Sequence, residues 1–300
     1  MRNRVVFSIH DAKGEYWKYT AAALTSVARY SSIHIQFSIL HDKTLSVIAK
    51  QNLSRISKLF NMDINFVEIN LDETDLEKSY GKFSVASLFR LLIPSIFKND
   101  ELVLYLDSDL IFNNVDVKLL FDIQLHQKSI AAVIDPYILN HEEHGLELKK
   151  LNINSSKYFN SGVLLINILG QKGDLLQEYL KFYKSFGETI HPDQNFLNFK
   201  FQDEFYELSD KFNFHVGNYN NTLFKSLEYY NNKVIHYSGP IKPLDGALSP
   251  GMIPFWRSTL FIDAVFTEKT GTVEIDYLYP VVNSNTKLIR RTIPALHLSK

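Results

Sequence analysis

Apolar and polar residues alternate along the first two-thirds of the chain in two rhythms. Short runs rich in apolar residues read as strands: "RVVFSI" (Arg4–Ile9), "HIQFSIL" (His34–Leu40), "INFVEI" (Ile64–Ile69) and "LVLYL" (Leu102–Leu106). Between them lie stretches with helical spacing. These are Glu15–Tyr30, Lys43–Phe60 with Leu45, Ile48, Leu53, Ile56 and Phe60 near one face, and Ser84–Phe97. Strands and helices in alternation predict βαβ units, hence an α/β fold with a largely parallel, doubly wound sheet. Farther along, Ser129–Tyr137 and Tyr158–Ile168 read as strands, Leu175–Phe186 as a helix, and Lys233–Gly239 as a final strand. The pattern weakens after about Lys242. The expected organisation is one domain over 1–245 and a small helical or irregular appendage over 246–300.

Sheets of this kind bind ligands at the carboxyl ends of their strands. The run Leu102–Leu106 ends directly in Asp107, Ser108 and Asp109. Clustered carboxylates repel and are costly to bury unless a cation joins them. An Asp-x-Asp triplet also fits an Asx turn with a helix cap, but its position after an apolar strand favours a divalent cation. Oxygen ligands of this type suit Mn²⁺ or Mg²⁺, which leave coordination positions for substrate phosphates. A second rich stretch is "HYSGPIKP", His236–Pro243. Its histidine can ligate a metal, Gly239 allows close backbone approach, and Lys242 offers a point charge for a phosphate. Taken singly, His236 reads as a core histidine and Lys242 as a solvated lysine.

Composition narrows the class. With 300 residues, 45% hydrophobic, the chain can bury a large core. Its formal charge of -1 gives no global basic footprint for nucleic acid. No run approaches the roughly 20 apolar residues of a membrane span, and the apolar start Val5–Ile9 is too short for a signal peptide. Cysteine is absent, which excludes disulfides and thiolate metal sites and fits a cytoplasmic location. The last residues carry Lys287, Arg290, Arg291 and Lys300 without an acidic partner, a tail that fits plain solvation, the commoner case, or peripheral contact with an anionic membrane. The "NHEEHG" segment, with His141 and His144, lacks the His-Glu-x-x-His order of a zinc helix and reads as a solvated loop.

Seven segments, in order, together resemble glycosyltransferase family 8. They are "VVFSIHD", "FRLLIP", "VLYLDSDLIF", "AAVIDPY", "YFNSGVLLINI", "HPDQNFLN" and "HYSGPIKP". The resemblance covers roughly the first 245 residues. It implies a GT-A fold, a Rossmann-like mostly parallel sheet flanked by helices. It further implies a retaining transferase that moves a hexose, galactose or glucose, from a UDP-sugar to a glycan, glycoprotein or glycolipid acceptor. By matching, Asp107, Asp109 and His236 hold Mn²⁺, or Mg²⁺, on the nucleotide diphosphate, with Ser108 between the two acids. Gly239 and Lys242 contact the diphosphate. Ser8, Ile9, His10 and Asp11 frame the uridine, with Asp11 on uracil. Arg90 contacts the donor sugar and steadies the acidic motif. Asn160, Ser161 and Asp193 match donor-sugar contacts, and Gln194 the residue near the anomeric carbon, so Asp193 and Gln194 are the catalytic candidates. Two departures are visible: the usual Asn-x-x-Tyr spacing after the first strand is lost, with Tyr16 as stand-in, and Leu244 occupies a position where the family often has Trp.

Two alternatives use the same residues. Phosphohydrolases of the haloacid dehalogenase type place Asp-x-Asp at a strand end, but normally on the first strand and with Thr or Val where Ile111 stands. A non-catalytic sugar-nucleotide-binding module is the other, disfavoured because the metal, diphosphate and sugar positions are all filled.

Overall fold

The structure, a computed structural model, describes residues 2–71, 79–80, 83–171, 173–217, 222–245 and 249–267. The predicted strands form as β1 (Arg4–Ile9), β2 (Gln36–His41), β3 (Asp63–Glu68), β4 (Leu102–Leu106), β6 (Ile130–Ile134) and β7 (Phe159–Asn167). With β8 (Phe205–Glu207) they make a seven-stranded sheet of order β3-β2-β1-β4-β7-β6-β8. Four of its pairings are parallel; β7 runs antiparallel to both β4 and β6. Helices α1 (Tyr16–Tyr30) and α2 (Val47–Leu59) supply the crossovers between the first three strands.

Strand β1 is buried on both faces. Val5, Phe7 and Ile9 join the α1 and α2 core, while Val6 joins the core on the opposite face. Each such side chain contributes about 1.5–3 kcal/mol relative to exposure. Fully buried Ala22, with Ala21 and Ala23, keeps the middle of α1 slim enough to pack closely. Ser46 caps α2 by accepting from Ala49 N, a contact worth about 1 kcal/mol. Away from the strands' carboxyl ends, Arg4 and Asp100 form a buried ion pair, with Ser38 on the guanidinium and Phe97 beneath it.

Three local expectations are corrected. Ser84–Phe97 is not one helix: it breaks into a turn at Ala86–Phe89, a 3-10 turn at Arg90–Leu92 and a further turn at Ile93–Ile96. Pro94 has no N–H for the carbonyl of Arg90, so Ile93 N closes on that carbonyl instead. The segment with His141 and His144 is helical from Glu142 to Lys150 (α3) rather than a loop; Glu142 and Glu143 open it and Lys149 and Lys150 close it, matching the helix dipole. Finally, the chain turns at Asp109 straight into β5 (Leu110–Asn113), a strand that the apolar pattern does not set apart from the run before the acids. Strand β5 pairs antiparallel with β10 (Lys233–His236), which also pairs with β9 (Phe214–His215), giving a second, three-stranded sheet.

Helices α4 (Leu175–Phe186) and α5 (Pro192–Phe201) pack on the β7 side, and α6 spans Ile253–Thr267. The rest of the expected appendage, including Lys287, Arg290, Arg291 and Lys300, lies outside the described residues. Among the described residues no helix is long and apolar enough to cross a membrane.

Candidate active site

Backbone pairing sets the two acidic residues at the junction between β4 of the large sheet and β5 of the small one. Asp107 follows β4, and its N–H donates to Gly162 O of antiparallel β7 at 2.8 Å. Opposite Leu110, the β5–β10 register sets His236, and Tyr237 N donates to Asp109 O at 3.0 Å. Asp107, Asp109 and His236 therefore converge, with one potential ligand atom from each lying within 4.8 Å of the others.

Each acid has its own counter-charge. Asp107 Oδ1 accepts from Arg90 at 2.9 Å and from the Tyr105 hydroxyl at 2.7 Å, while its other oxygen is 3.8 Å from His236 Nε2. Asp109 Oδ2 accepts from the Lys242 ammonium at 2.6 Å, and Oδ1 is 3.3 Å from His236 Nε2. Burial alone would raise Asp109, yet the Lys242 ammonium holds it well below the usual carboxylate range. Burial likewise disfavours the charge on Arg90, but Asp107, Tyr105 and Asp193 hold the guanidinium fully protonated. Burial also pushes Asp193 up, against the pull of Arg90.

The cradle fits a divalent cation. Gly162 is the reason there is room: a Cβ on it would lie 2.4 Å from His236 Cε1 and 2.8 Å from Asp107 Oδ2. Two carboxylates and an imidazole form a hard-to-borderline donor set suited to Mn²⁺ or Mg²⁺. Lys242, on Asp109, supplies positive charge to the same carboxylate.

Arg90 joins this cluster to its neighbours. It donates to Ser161 O and Oγ at 2.7 and 2.8 Å and pairs with Asp193 at 3.3 Å. Gln194 Oε1 accepts from Ser161 N at 2.9 Å, and its amide nitrogen donates to Asp135 and to the Tyr158 hydroxyl. Pro192 opens α5 and puts Asp193 in its first turn. Asn160 donates to Asp135 at 3.3 Å. Thus Arg90, Asn160, Ser161, Asp193 and Gln194 all belong to one hydrogen-bonded network with the acidic pair.

The end of β1 adds a second wall. Ser108 accepts from Thr20 at 2.8 Å and lies 3.4 Å from Ser8 O, linking the acidic triplet to β1. Asp11 is buried; Oδ1 accepts from Tyr16 N at 2.6 Å, whereas Oδ2 has no partner. Burial raises this carboxyl above its ordinary value. Ser8 Oγ is also buried without a partner. His10 is engaged by Asp42, and Ile9 is a core side chain whose backbone alone remains for contacts. Tyr16 is 38% exposed and its ring lies 5.5 Å from that of Tyr19; desolvation of its hydroxyl, with the charges of Asp109 and Asp107, pushes that group well above its ordinary value. Gly239 is buried in the turn after β10.

Sequence reasoning missed four residues here. Asp135 follows an apolar strand just as Asp107 does, and that signal could have found it. Gly162 and Tyr158 lie inside a quoted motif without being singled out. Asn213, bonded to His236 Nδ1 at 2.8 Å, carries no local signal.

Comparison with known proteins gives the family and the fold. The family described as Glycosyl transferase family 8 matches residues 9–246. Glycosyltransferase GlyB of Streptococcus pneumoniae serotype 4 is 28% identical over 249 residues, 78% of this chain and 56% of GlyB. The chain spans about half the length of the curated relatives it first matches. Among solved structures, the galactosyltransferase LgtC in complex with donor and acceptor sugar analogs superposes with a TM-score of 0.71 at 22% identity, covering 90% of this chain and 97% of LgtC. Apo GlyE of Streptococcus pneumoniae TIGR4 gives 0.61 at 21% identity, over 90% of this chain and 64% of GlyE. The architecture is the GT-A fold of these neighbours.

Proposed function

The chain belongs to glycosyltransferase family 8, and from that premise we propose that it is a retaining hexosyltransferase. It moves galactose or glucose from a UDP-sugar to a glycan or glycosylated acceptor and depends on Mn²⁺, with Mg²⁺ as substitute. The observation that carries the reading is the convergence of Asp107, Asp109 and His236 around the space left by Gly162.

Asp107, Asp109 and His236 hold the cation. When bound, the cation supplies Lewis-acid stabilisation of the charge that builds on the diphosphate leaving group. Lys242 releases Asp109 to reach the same diphosphate and adds an ammonium to that clamp. The unpartnered Asp11 Oδ2 accepts an N–H from uracil, which relieves a buried orphan oxygen. Arg90, Asn160 and Asp193 hold the sugar hydroxyls, and Asp193 is oriented for this by Arg90 and Ser161.

Retention requires either a nucleophile on the far face or attack from the leaving-group side. Gln194 is a neutral amide, already bonded to Ser161 and Asp135, and a poor nucleophile. Asp193 is committed to Arg90. Same-face attack follows: the acceptor hydroxyl bonds to the anomeric carbon as the sugar–phosphate bond breaks, and the departing phosphate oxygen takes the proton. A trapped glycosyl-enzyme adduct would overturn this.

The experiment is UDP release from UDP-glucose, UDP-galactose and UDP-N-acetylglucosamine, each with Mn²⁺ and with EDTA, alongside Asp109→Ala. Metal-dependent turnover of one hexose donor, lost in the variant, is expected. No turnover and no UDP binding would sink the reading.

A further inference from the structure

Behind the metal cradle runs a chain of amide hydrogen bonds whose direction can be deduced. Asn160 Oδ1 accepts from the backbone N–H of Gly162 at 2.9 Å, and a backbone N–H can only donate. At the other end of the same amide, Asn160 Nδ2 meets the Asp135 carboxylate, which accepts, at 3.3 Å. Both contacts fix the same orientation of the Asn160 amide. Asn213 lies 2.8 Å from Asn160 Oδ1 and must therefore present its NH₂ there. Its carbonyl oxygen is left for His236 Nδ1, at 2.8 Å. A carbonyl oxygen cannot donate, so His236 carries a proton on Nδ1. In the neutral ring, the lone pair is then on Nε2, 3.3 Å from Asp109 Oδ1 and 3.8 Å from Asp107 Oδ2. A lone pair facing carboxylate oxygens is repulsive until a cation lies between them.

Asn213 owes its place to backbone pairing. Its N–H closes the 3-10 turn Asp210–Phe212 on Asp210 O, and the β9–β10 register then sets His215 opposite His236. Asn213 and His236 are 2% and 3% exposed, so water does not compete for either contact. On its other face the imidazole is flanked by the ring of His215, at a centroid distance of 5.2 Å.

We propose that Asn213 is a positioning residue of the metal centre. It fixes neutral His236 as the Nδ1–H tautomer with Nε2 offered to the cation, and through Asn160 it ties that imidazole to the residues that face the donor sugar. This rests on the metal-dependent reading above and extends it to a residue that touches neither metal nor substrate.

Two measurements test it. In the metal-free full chain, ¹⁵N NMR of the neutral imidazole, assigned with His236→Gln, should place the proton on Nδ1; a proton on Nε2 overturns the proposal. This readout needs no metal and no turnover, so it decides even if the wild-type protein fails to bind Mn²⁺, a result that would sink the metal-dependent reading instead. Second, Mn²⁺ is titrated by EPR in the presence of UDP. Asn213→Leu, which offers no acceptor, should weaken Mn²⁺ by about 10–100-fold. Asn213→Asp keeps the acceptor and should bind Mn²⁺ within about threefold of wild type or more tightly, since a carboxylate on Nδ1–H raises ligand basicity. The same Asp variant sets oxygen against oxygen at Asn160, so its preference for UDP-hexose over UDP should fall. Equal loss of Mn²⁺ affinity in both variants, or none in the folded Leu variant, overturns the proposal. If Asn213→Leu does not fold, the Asp variant and the tautomer decide.

Discussion

Replacing Gly162 by alanine is a one-carbon test of the cradle. The backbone is not the obstacle, because Gly162 is not among the positive-φ positions. The added Cβ would lie 2.4 Å from His236 Cε1, 2.8 Å from Asp107 Oδ2 and 3.0 Å from Asn160 Oδ1. The first distance is about 1 Å short of ordinary carbon contact. Relief would be easy if these were free side-chain ends, but none is. Asn213 pins His236 on Nδ1, Arg90 and Tyr105 hold Asp107, and Asn213 and Asp135 hold Asn160. Overpacking of this kind costs about 1–3 kcal/mol of stability. The larger effect is functional: His236 must retreat by about 1 Å, and a misplacement of that size can cost roughly 100-fold in rate. Thermal melts, Mn²⁺ titration in the presence of UDP and UDP release are to be read on the same preparation. The expected result is a folded protein with a modestly lower melting point, Mn²⁺ affinity down by about tenfold or more, and UDP release down further. A Gly162→Ala protein with wild-type Mn²⁺ affinity and wild-type turnover would refute the assignment of the cradle.

Three further changes separate the contributions of other residues. Lys242→Met removes the ammonium from Asp109, so Mn²⁺ alone should bind as tightly as in wild type or more tightly, while UDP binding to the Mn²⁺-loaded protein weakens by about 1.5–3 kcal/mol, the worth of a charged hydrogen bond; calorimetric titrations with the two ligands check the opposite signs. Asp11→Asn keeps an acceptor for Tyr16 N but turns its NH₂ toward the orphan position, and UDP affinity should fall by about 1–3 kcal/mol with Mn²⁺ affinity unmoved in calorimetric titration. Asp100→Ala strands the Arg4 guanidinium in the core without its counter-charge, on Ser38 and the Phe97 ring; chemical denaturation should show about 3–5 kcal/mol lost, with donor KM unchanged because the pair lies away from the site.

Strands β1, β2, β4 and β7 were legible because both of their faces are buried, which writes them as unbroken apolar runs such as Val103–Leu106. The acidic pair was legible for the complementary reason: carboxylates directly after such a run must leave the core where the strand ends. Strand β5 was not, because Leu110–Phe112 continues the apolar text across the acids, and only pairing with β10 reveals a new strand. The helix over Glu142–Lys150 was missed because its apolar anchoring is slight, with Leu148 its only buried residue.

By itself, then, the sequence determined the alternating α/β order and the side chains with metal-ligand and cationic chemistry, since these follow from local periodicity and residue type. The tertiary structure decided which of them meet. His236 is 129 positions from Asp107, and it reaches the acids only because β10 pairs with β5 in one particular register. The same holds for Gly162 and Asn213, whose roles are an absent Cβ and a hydrogen bond across 23 positions to His236. Neither leaves a periodic signature, because a one-residue slip of either strand would keep its composition and turn the side chain away from the site.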